Sequence, residues 1–503
     1  QVVTSFYALN KLGAVAVLLN PLLPTGQLLK QIKDTHCTGL ILPDVLMPAI
    51  LKEHRRLTSG HEYFEKHSAL SFIMHIKLSS EMNPLNALRY KLKYSCRLLF
   101  AKIYAKMNKH LFFERSPVLD DFGEPSIDNI RLSSAKRSAV IIFSGGTSGN
   151  PKPVVHSSES INLSAIQCLS TEPPIEEGMS MLSVLPTFHI YGLVVSLHLA
   201  LIAGGKSILV PRFRTSNTVK LLIGKKPTYM AGVPAIYTSL LKSSHLKRAE
   251  KRGNLDFSGF RIGFCGGDKL NMSTLHGFNE LIRRNGGTGR IVDGYGLTEC
   301  CPVTVMSRDG SGPEGSIGKA FPGIEICIVN PETNEKLHYD EEGEICIFAR
   351  NSMSHYLDSP SETFKAFRMH PDGKFWLHTG DIGKLDKEGF LFFMSRMRRI
   401  IKVSGYSVFP AQIEKVLMSH PGVYNAAVTE QNEGSQLVQI KAYIVLNFDY
   451  FMTHSKFLLK TKQLRTLIES KAQRQILDYC YQKLALWAVP KIIEFRASLP
   501  VNL

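Results

Sequence analysis

Short apolar runs recur along this 503-residue chain, each bounded by polar or turn-forming residues. Ala139-Val140-Ile141-Ile142-Phe143 is one and Ser207-Ile208-Leu209-Val210 is another. Their length and β-branched content predict buried strands. Amphipathic stretches with helical spacing lie between such runs. That alternation predicts α/β layers built on largely parallel sheets. No apolar run reaches the roughly 18 residues a membrane-spanning helix needs, and no internal repeat stands out. The texture changes near residue 395. Phe392 to Gly405 carries Arg396, Arg398, Arg399 and Lys402 between two apolar strand-like runs. The pattern therefore divides the chain into a large α/β part, 1–395, and a smaller α/β part, 396–503.

One segment departs from this pattern. Asn86 to His110 holds seven Lys or Arg and no acid, interleaved with Leu88, Tyr90, Leu92, Tyr94, Leu98, Leu99, Phe100, Ile103 and Tyr104. It reads either as a basic amphipathic helix suited to an anionic membrane surface or as a surface helix packed on its own domain with a solvated basic face.

Composition narrows the class. Hydrophobic residues make up 44% and charged residues 20% of the chain, which is ordinary for a globular enzyme and excludes wholesale disorder. The 60 Lys plus Arg against 43 Asp plus Glu give a formal charge of +17, which favours anionic partners. With no zinc-finger spacing and no RNA-binding aromatic motif, nucleic acid is not an expected partner. The nine cysteines show no C-x-x-C pair, so neither a zinc site nor a disulfide framework is expected. A reducing, cytoplasmic compartment fits them best. The chain opens on Gln1 without a basic-then-apolar leader and stops at Leu503. Both ends read like domain interior, so the expectation is a segment trimmed at each end.

The strongest local chemistry lies in Phe143-Ser144-Gly145-Gly146-Thr147-Ser148-Gly149-Asn150-Pro151-Lys152, directly after a predicted strand. Three glycines let the backbone turn tightly and bring N–H groups to an anion. Ser144, Thr147 and Ser148 add hydroxyls, and Lys152 adds a mobile charge. Such a loop suits a triphosphate. It is not a Walker A loop, because near Gly205-Lys206-Ser207 the first glycine position holds Ala200. Nor is a dinucleotide fingerprint present, since Gly294-Tyr295-Gly296 is followed by Glu299 where the last glycine should stand.

Taken with three further motifs, this loop resembles the adenylate-forming, or AMP-binding, superfamily. Ser144 to Lys152 is similar to its phosphate loop, and Gly294-Tyr295-Gly296-Leu297-Thr298-Glu299 to its Y-G-x-T-E motif. His378-Thr379-Gly380-Asp381 is similar to its T-G-D motif, and Ser395-Arg396 through Gly405 to its hinge, continued by Phe409-Pro410-Ala411-Gln412-Ile413-Glu414. The motifs keep the family's order and spacing over nearly the whole chain. The resemblance implies a large multi-sheet α/β domain, 1–395, and a small mobile α/β lid, 396–503. It implies an acid:thiol ligase that attacks the α-phosphorus of ATP with a carboxylate, releases pyrophosphate and passes the acyl group to coenzyme A. Both reactants are anions, so positioning and charge neutralisation dominate such a reaction.

The resemblance also assigns roles. The 144–152 loop would hold the β- and γ-phosphates, with Lys152 as its charge. Glu299 would bind Mg2+ through oxygen, and Thr298 would donate to the α-phosphate. Asp293 through Gly296 would border the nucleotide, with Tyr295 against adenine. Asp381 would accept the ribose hydroxyls, and Arg396 would help hold the ribose. Leu185 to Gly192 resembles the aromatic segment beside the acyl pocket, where His189 would support the carboxylate or gate the pocket. Gly266-Gly267-Asp268 resembles the loop flanking adenine and the acyl tunnel. With no charged residue placed to read an amino group, the expected acid is fatty or otherwise hydrophobic. Lys402 and Gly405 would line the thiol entrance after lid rotation.

The match is imperfect. Ser395 stands where the family has Gly, Arg398 where an acid or lysine is usual, Arg399 in place of a frequent Asp, and Pro153 in place of a Gly. The family's last motif, L-P-x-T-x-x-G-K, only begins at Leu499-Pro500, so its lysine is expected beyond Leu503. Two rivals keep the fold: an enzyme that loads a carrier protein's phosphopantetheine, and a non-catalytic ATP- or acyl-binding scaffold. Retention of Lys152, Glu299 and Asp381 weighs against the scaffold.

Overall fold

The computed structural model describes residues 2–43, 46, 50, 72–76, 112–114, 135–144, 151–171, 174–268, 270–308, 310, 312–397, 401–403, 406–408, 410–432, 438–447, 450–451, 462–484 and 488–499. The segment 86–110 lies outside them, as do Gly145 to Asn150 and Gly405.

The fold is mixed α/β with several sheets, and the apolar runs form its strands. Ser138–Phe143 is a strand with Val140 and Ile142 fully buried, and Lys206–Leu209 is another. The central sheet has seven strands in the order Lys319–Ala320, Val305–Met306, Arg290–Tyr295, Ile262–Gly266, Tyr229–Gly232, Ser180–Ser183 and Lys206–Leu209. Its last five strands are parallel, joined through helices. Parallel strands need crossovers, so their carboxyl ends collect on one edge, where sheets of this type form ligand crevices. Helix boundaries follow local chemistry. Asn271 caps Met272–Arg284 by accepting from Ser273 N–H at 2.9 Å, and Arg283 and Arg284 occupy the last turn, where cations favour the helix dipole.

The expectation of largely parallel sheets holds for this sheet but not throughout. Ile324–Val329, Gly343–Ala349, Phe375–Leu385, Phe367–Met369 and Leu391–Arg396 form an antiparallel sheet. Left-handed residues mark the bends between several of its strands, Asn334 and Asp340 before Gly343–Ala349, Gly373 before Phe375–Leu385 and Gly389 before Leu391–Arg396, whereas Ala349 reaches Phe367 through a longer segment that includes the helix Pro360–Ala366. One face of this sheet sends Ile328, Ile345, Ile347 and Leu377 into the main core. That core runs from Phe6 to Leu391. A separate apolar cluster runs from Ile401 to Val489. It is built on a three-stranded sheet, Val423–Asn432, Val438–Leu446 and Ile492–Phe495, and the helices Pro410–Met418 and Lys462–Lys483. Among the described residues no helix is long and apolar enough to cross a membrane.

Ile142 is fully buried in the strand that leads into the phosphate-loop motif. Ile142→Ala should destabilise the protein by about 2–5 kcal/mol through lost burial and a residual cavity. Denaturant unfolding of the variant checks this, and a change below about 1 kcal/mol would mean the site collapses around the smaller side chain.

Candidate functional site

A cavity of about 680 Å³ lies at the carboxyl edge of the central sheet, between it and the antiparallel sheet. Its walls come from the ends of three parallel strands and the segments that follow them. Strand Arg290–Tyr295 runs into Gly296 and then the single 3-10 turn Thr298–Cys300. A Cβ on Gly296 would sit 1.6 Å from the Pro302 carbonyl oxygen, so only glycine lets the chain double back here. Thr304 N–H returns to Tyr295 O at 2.9 Å and closes the loop. The turn presents Thr298 and Glu299 to the cavity. His156, fully buried, reaches the Thr298 carbonyl through Nε2 at 2.7 Å. Burial lowers its pKa to about 4, so the ring stays neutral and Nε2–H donates. Glu299 is fixed at both ends: its carbonyl accepts from Met353 N–H at 2.7 Å, and its Oε1 accepts from Tyr356 OH at 2.8 Å.

The antiparallel sheet supplies the opposite wall. Asp381 lies within Phe375–Leu385 and is 3% exposed. Its Oδ2 accepts from Tyr295 OH at 2.8 Å, and its Oδ1 lies 3.2 Å from Arg396 Nε on the paired strand. Oδ1 accepts no hydrogen bond from the protein. Burial raises the Asp381 pKa above the ordinary carboxylate value, with Arg396 and the Tyr295 hydroxyl opposing it and Glu299 and Glu344 adding to it. Tyr295 is itself buried, which pushes its pKa well up, so its hydroxyl remains a donor. Its ring packs against Phe393, with centroids 6.0 Å apart.

At the phosphate-loop motif, Ser144 N–H donates to Lys152 O at 2.9 Å, so the two ends of the loop are tied together. Lys152 Nζ is paired with Glu362 Oε2 at 2.5 Å and lies 4.7 Å above the Tyr356 ring centre. The Lys152 contact pulls Glu362 down to about 2, helped by Lys365. Backbone at Gly266, Gly267, Gly294 and Gly296 lines the cavity, and a Cβ on Gly266 would come within 3.0 Å of Gly294 O. His189 opens onto the cavity with its Nδ1 accepting from Tyr191 N–H at 3.2 Å, and the surrounding protein lowers its pKa. It precedes a π-helical stretch, Gly192–His198, where a Cβ on Gly192 would fall 2.1 Å from Pro186 O. The apolar lining includes Cys168, Ile190, Val195, Phe264 and Met306.

Ser144, Lys152, His189, Gly266, Gly267, Gly294, Tyr295, Gly296, Thr298, Glu299, Asp381 and Arg396 therefore meet at one cavity. Asp293 does not line it; its Oδ1 folds back to accept the Gly294 N–H at 3.0 Å. Gly145, Gly146, Thr147, Ser148, Gly149 and Gly405 lie outside the described residues. Lys402 is described only as part of the strand Ile401–Val403. Four lining or supporting residues were invisible to the motif reading: His156, Glu344, Tyr356 and Glu362. Of these only Glu344 left a signal, an acid inside the otherwise apolar strand Gly343–Ala349, where it is 2% exposed.

The donor set suits ATP and Mg2+. Lys152 and Arg396 offer positive charge, Asp381 Oδ1 is a buried acceptor without a hydrogen bond from the protein, and Glu299 is a carboxylate of the kind hard cations take. Since Asp381 ionises at its ordinary pKa in the unfolded chain but at a higher one in the fold, the native state holds the proton between the two values. Stability falls as pH rises through that window, and above it the full cost of the buried charge remains. Asp381→Asn should therefore raise Tm at pH 7, with the gain fading as the pH drops to about 4, near the ordinary carboxylate pKa. Thermal melts at the two pH values check it. A lower Tm for the variant at pH 7 would mean that Arg396 and Tyr295 outweigh burial.

The family described as "AMP-binding enzyme" matches residues 1–357. The long-chain-fatty-acid–CoA ligase of Bacillus subtilis (strain 168) is 28% identical over 510 residues, covering 99% of this chain and 81% of its own. The 4-coumarate–CoA ligase 3 of Arabidopsis thaliana is 27% identical over 442 residues, covering 86% and 69%. Among solved structures, an anthranilate CoA ligase in complex with anthranoyl-AMP superposes with a TM-score of 0.70 at 22% identity, covering 99% of this chain and 82% of its own, a likeness of fold. The chain belongs to the AMP-binding enzyme family, as an AMP-forming acyl-CoA synthetase that uses ATP, Mg2+ and coenzyme A.

Proposed function

We propose that this enzyme activates a hydrophobic, fatty-type carboxylic acid. The carrying observation is a single cavity with a polar end at Thr298, Glu299, Asp381 and Arg396 and an apolar lining at Cys168, Ile190, Val195, Phe264 and Met306. The apolar lining gives an acyl chain somewhere to leave water and offers no partner for an amino group. The fatty-acid–CoA ligase of B. subtilis supports the same reading.

In this reading Asp381, oriented by Tyr295, accepts the ribose hydroxyls, and Arg396 steadies the same end. Lys152 leaves Glu362 to meet the phosphates, together with the amides and hydroxyls of the 144–149 loop. Thr298 donates to the α-phosphate. Glu299, oriented by Tyr356, would hold Mg2+, which supplies charge neutralisation between phosphate oxygens. His189 stands where the acid enters, and Gly266 and Gly267 leave room beside the chain. The two separate apolar clusters support a domain division near 395/396. The smaller domain acts as a lid whose Lys402 and Gly405 border the thiol path after rotation. A basic 86–110 segment would bring the enzyme to anionic membrane surfaces, where such acids concentrate; each Lys or Arg near the surface adds about 1 kcal/mol.

Pyrophosphate release across a panel of acids, with and without coenzyme A, tests the function. We expect AMP and pyrophosphate, a preference for long apolar acids, and turnover that rises with coenzyme A. Formation of ADP would remove the reading. A requirement for a carrier protein in place of coenzyme A would change the acceptor. Preference for amino acids or short acids would remove the hydrophobic assignment. Glu299→Gln should reduce adenylation by about tenfold or more, since losing a charged metal ligand costs over about 1.4 kcal/mol; unchanged activity would end its assignment to the metal. For the membrane, co-sedimentation with anionic liposomes at low salt should be lost on charge reversal of Lys91, Lys93 and Arg97. Binding that survives reversal, or is absent from the start, makes 86–110 a packed surface element.

A further inference from the structure

The face of the antiparallel sheet that turns away from the main core is chemically unusual. Cys327, Cys346 and His378 sit on three adjacent strands and are direct cross-strand partners, Cys327 with Cys346 and Cys346 with His378. Direct partners share a face. Val329 and Trp376 complete the small buried cluster with the two cysteines, and Phe348 packs against it. His370 joins them from the turn between Phe367–Met369 and Phe375–Leu385. That turn is held by Gly373 N–H to His370 O at 2.9 Å and His370 N–H to Lys374 O at 3.0 Å. The His370 ring stacks on Trp376 with centroids 5.4 Å apart. Two imidazoles and two thiols are thus gathered within a mostly apolar layer, and both cysteines are free thiols.

The ligand geometry is specific. The Nε2 atoms of His370 and His378 face each other at 3.0 Å. The Cys346 thiol and the two rings offer one ligand atom each within 4.8 Å of one another. His378 is oriented from behind: its Nδ1 is 2.8 Å from Glu344 Oε2, and both side chains are 2% exposed. A carboxylate that takes the Nδ1 hydrogen leaves Nε2 as the lone-pair atom. This is the arrangement in which metal-bound histidines are held by a carboxylate behind them. Cys327, the direct cross-strand partner of Cys346, offers a second sulfur.

We propose that Cys346, His370 and His378 form a site for a thiophilic transition-metal ion, Zn2+ being the one these nitrogen and sulfur donors suit, with Cys327 or water as the fourth ligand. Zn–N bonds of about 2.0–2.1 Å and Zn–S bonds of about 2.3 Å put tetrahedral ligand atoms about 3.3–3.8 Å apart. The two rings need to part by only a few tenths of an ångström, and the thiol to approach by no more than about 1.5 Å. Binding releases the Cys346 thiol proton to solvent, and His370 carries its remaining hydrogen on Nδ1. The site is separate from the Mg2+ position at Glu299, because soft thiolate and imidazole donors are poor ligands for a hard cation. Its ion would tie the 370–374 turn to the strand Gly343–Ala349. Through His378 and Glu344, whose Oε1 accepts from Gly380 N–H at 2.9 Å, it would brace the backbone next to Asp381.

The test uses the full chain stripped of metal with a chelator and titrated with Zn2+ against a chromophoric competitor, then with Co2+ as a spectroscopic probe. We expect about one ion per chain, undisturbed by millimolar Mg2+. Bound Co2+ should show thiolate-to-metal charge-transfer absorption and the intense visible bands of a tetrahedral site. Melting of the chain should rise with Zn2+ concentration, since a ligand of the native state stabilises it. His370 is half-buried, so His370→Ala keeps the core, and it should weaken Zn2+ binding by at least about tenfold, the lower end of what even an outer-shell loss costs. Cys346→Ser should abolish the charge-transfer band. Should that variant fail to fold, the Co2+ spectrum of the unmodified chain decides the thiolate on its own. The proposal is overturned if the stripped chain retains no Zn2+ at micromolar free ion, if bound Co2+ lacks thiolate absorption, or if His370→Ala binds as tightly as the parent.

Discussion

The hydrogen bond from Tyr295 to Asp381 is the contact on which the site depends, because it joins two sheets of different construction. Tyr295 ends a parallel strand of the central sheet, and Asp381 lies within the long strand of the antiparallel sheet. A buried carboxylate is costly without partners. Here one oxygen is satisfied by a phenol that burial keeps protonated, and the other is left with only the half-exposed Arg396 nearby. The arrangement sets the width of the cavity. It also leaves Asp381 Oδ1 as a buried acceptor beside the cavity. The fold carries the electrostatic cost of that acceptor before any ligand binds, which is how preorganised sites work.

At the part of the cavity lined by Lys152 the solution is the opposite one. Lys152 is engaged by Glu362 and by the Tyr356 ring. Both members of the ion pair are partly solvated, and pairs of that kind contribute little net stability. The pair therefore holds the lysine in place at little net gain in stability. Tyr356 links Lys152 to Glu299, since its ring lies under Lys152 and its hydroxyl holds the carboxylate.

Local chemistry made much of this legible in the sequence. The strand Ser138–Phe143 follows from its run of β-branched residues. Gly296 was legible through its motif, and the 1.6 Å approach of a Cβ there to Pro302 O gives the physical reason for a glycine. The motifs could name Lys152, Glu299 and Asp381 because each sits beside its own turn. What they could not name were residues whose role arises only when distant segments meet. His156 supports Thr298 from 142 positions away, Glu362 pairs with Lys152 from 210 away, and Tyr356 reaches Glu299 from 57 away. Periodicity carries no information about such pairings. Nor did it single out the antiparallel sheet from Ile324 to Arg396, because buried strands of either kind read as continuous apolar runs.

That antiparallel sheet shows why composition alone was a poor guide to the cysteines. With no C-x-x-C pair in the sequence, a zinc site was not expected. Spacing rules of that kind describe ligands on one loop or helix, where proximity in sequence enforces proximity in space. A sheet needs no such spacing. Register alone brings Cys327, Cys346 and His378 side by side, and a five-residue turn returns His370 to them. The face toward the main core is filled with Ile328, Ile345, Ile347 and Leu377, as burial requires. The other face is also buried, yet it holds four groups capable of binding a metal where four aliphatic side chains would pack more cheaply. Cys346 lies on the strand that carries Glu344, and His378 on the strand that carries Asp381. Two hydrogen bonds, His378 to Glu344 and Gly380 to Glu344, connect that face to the backbone beside Asp381.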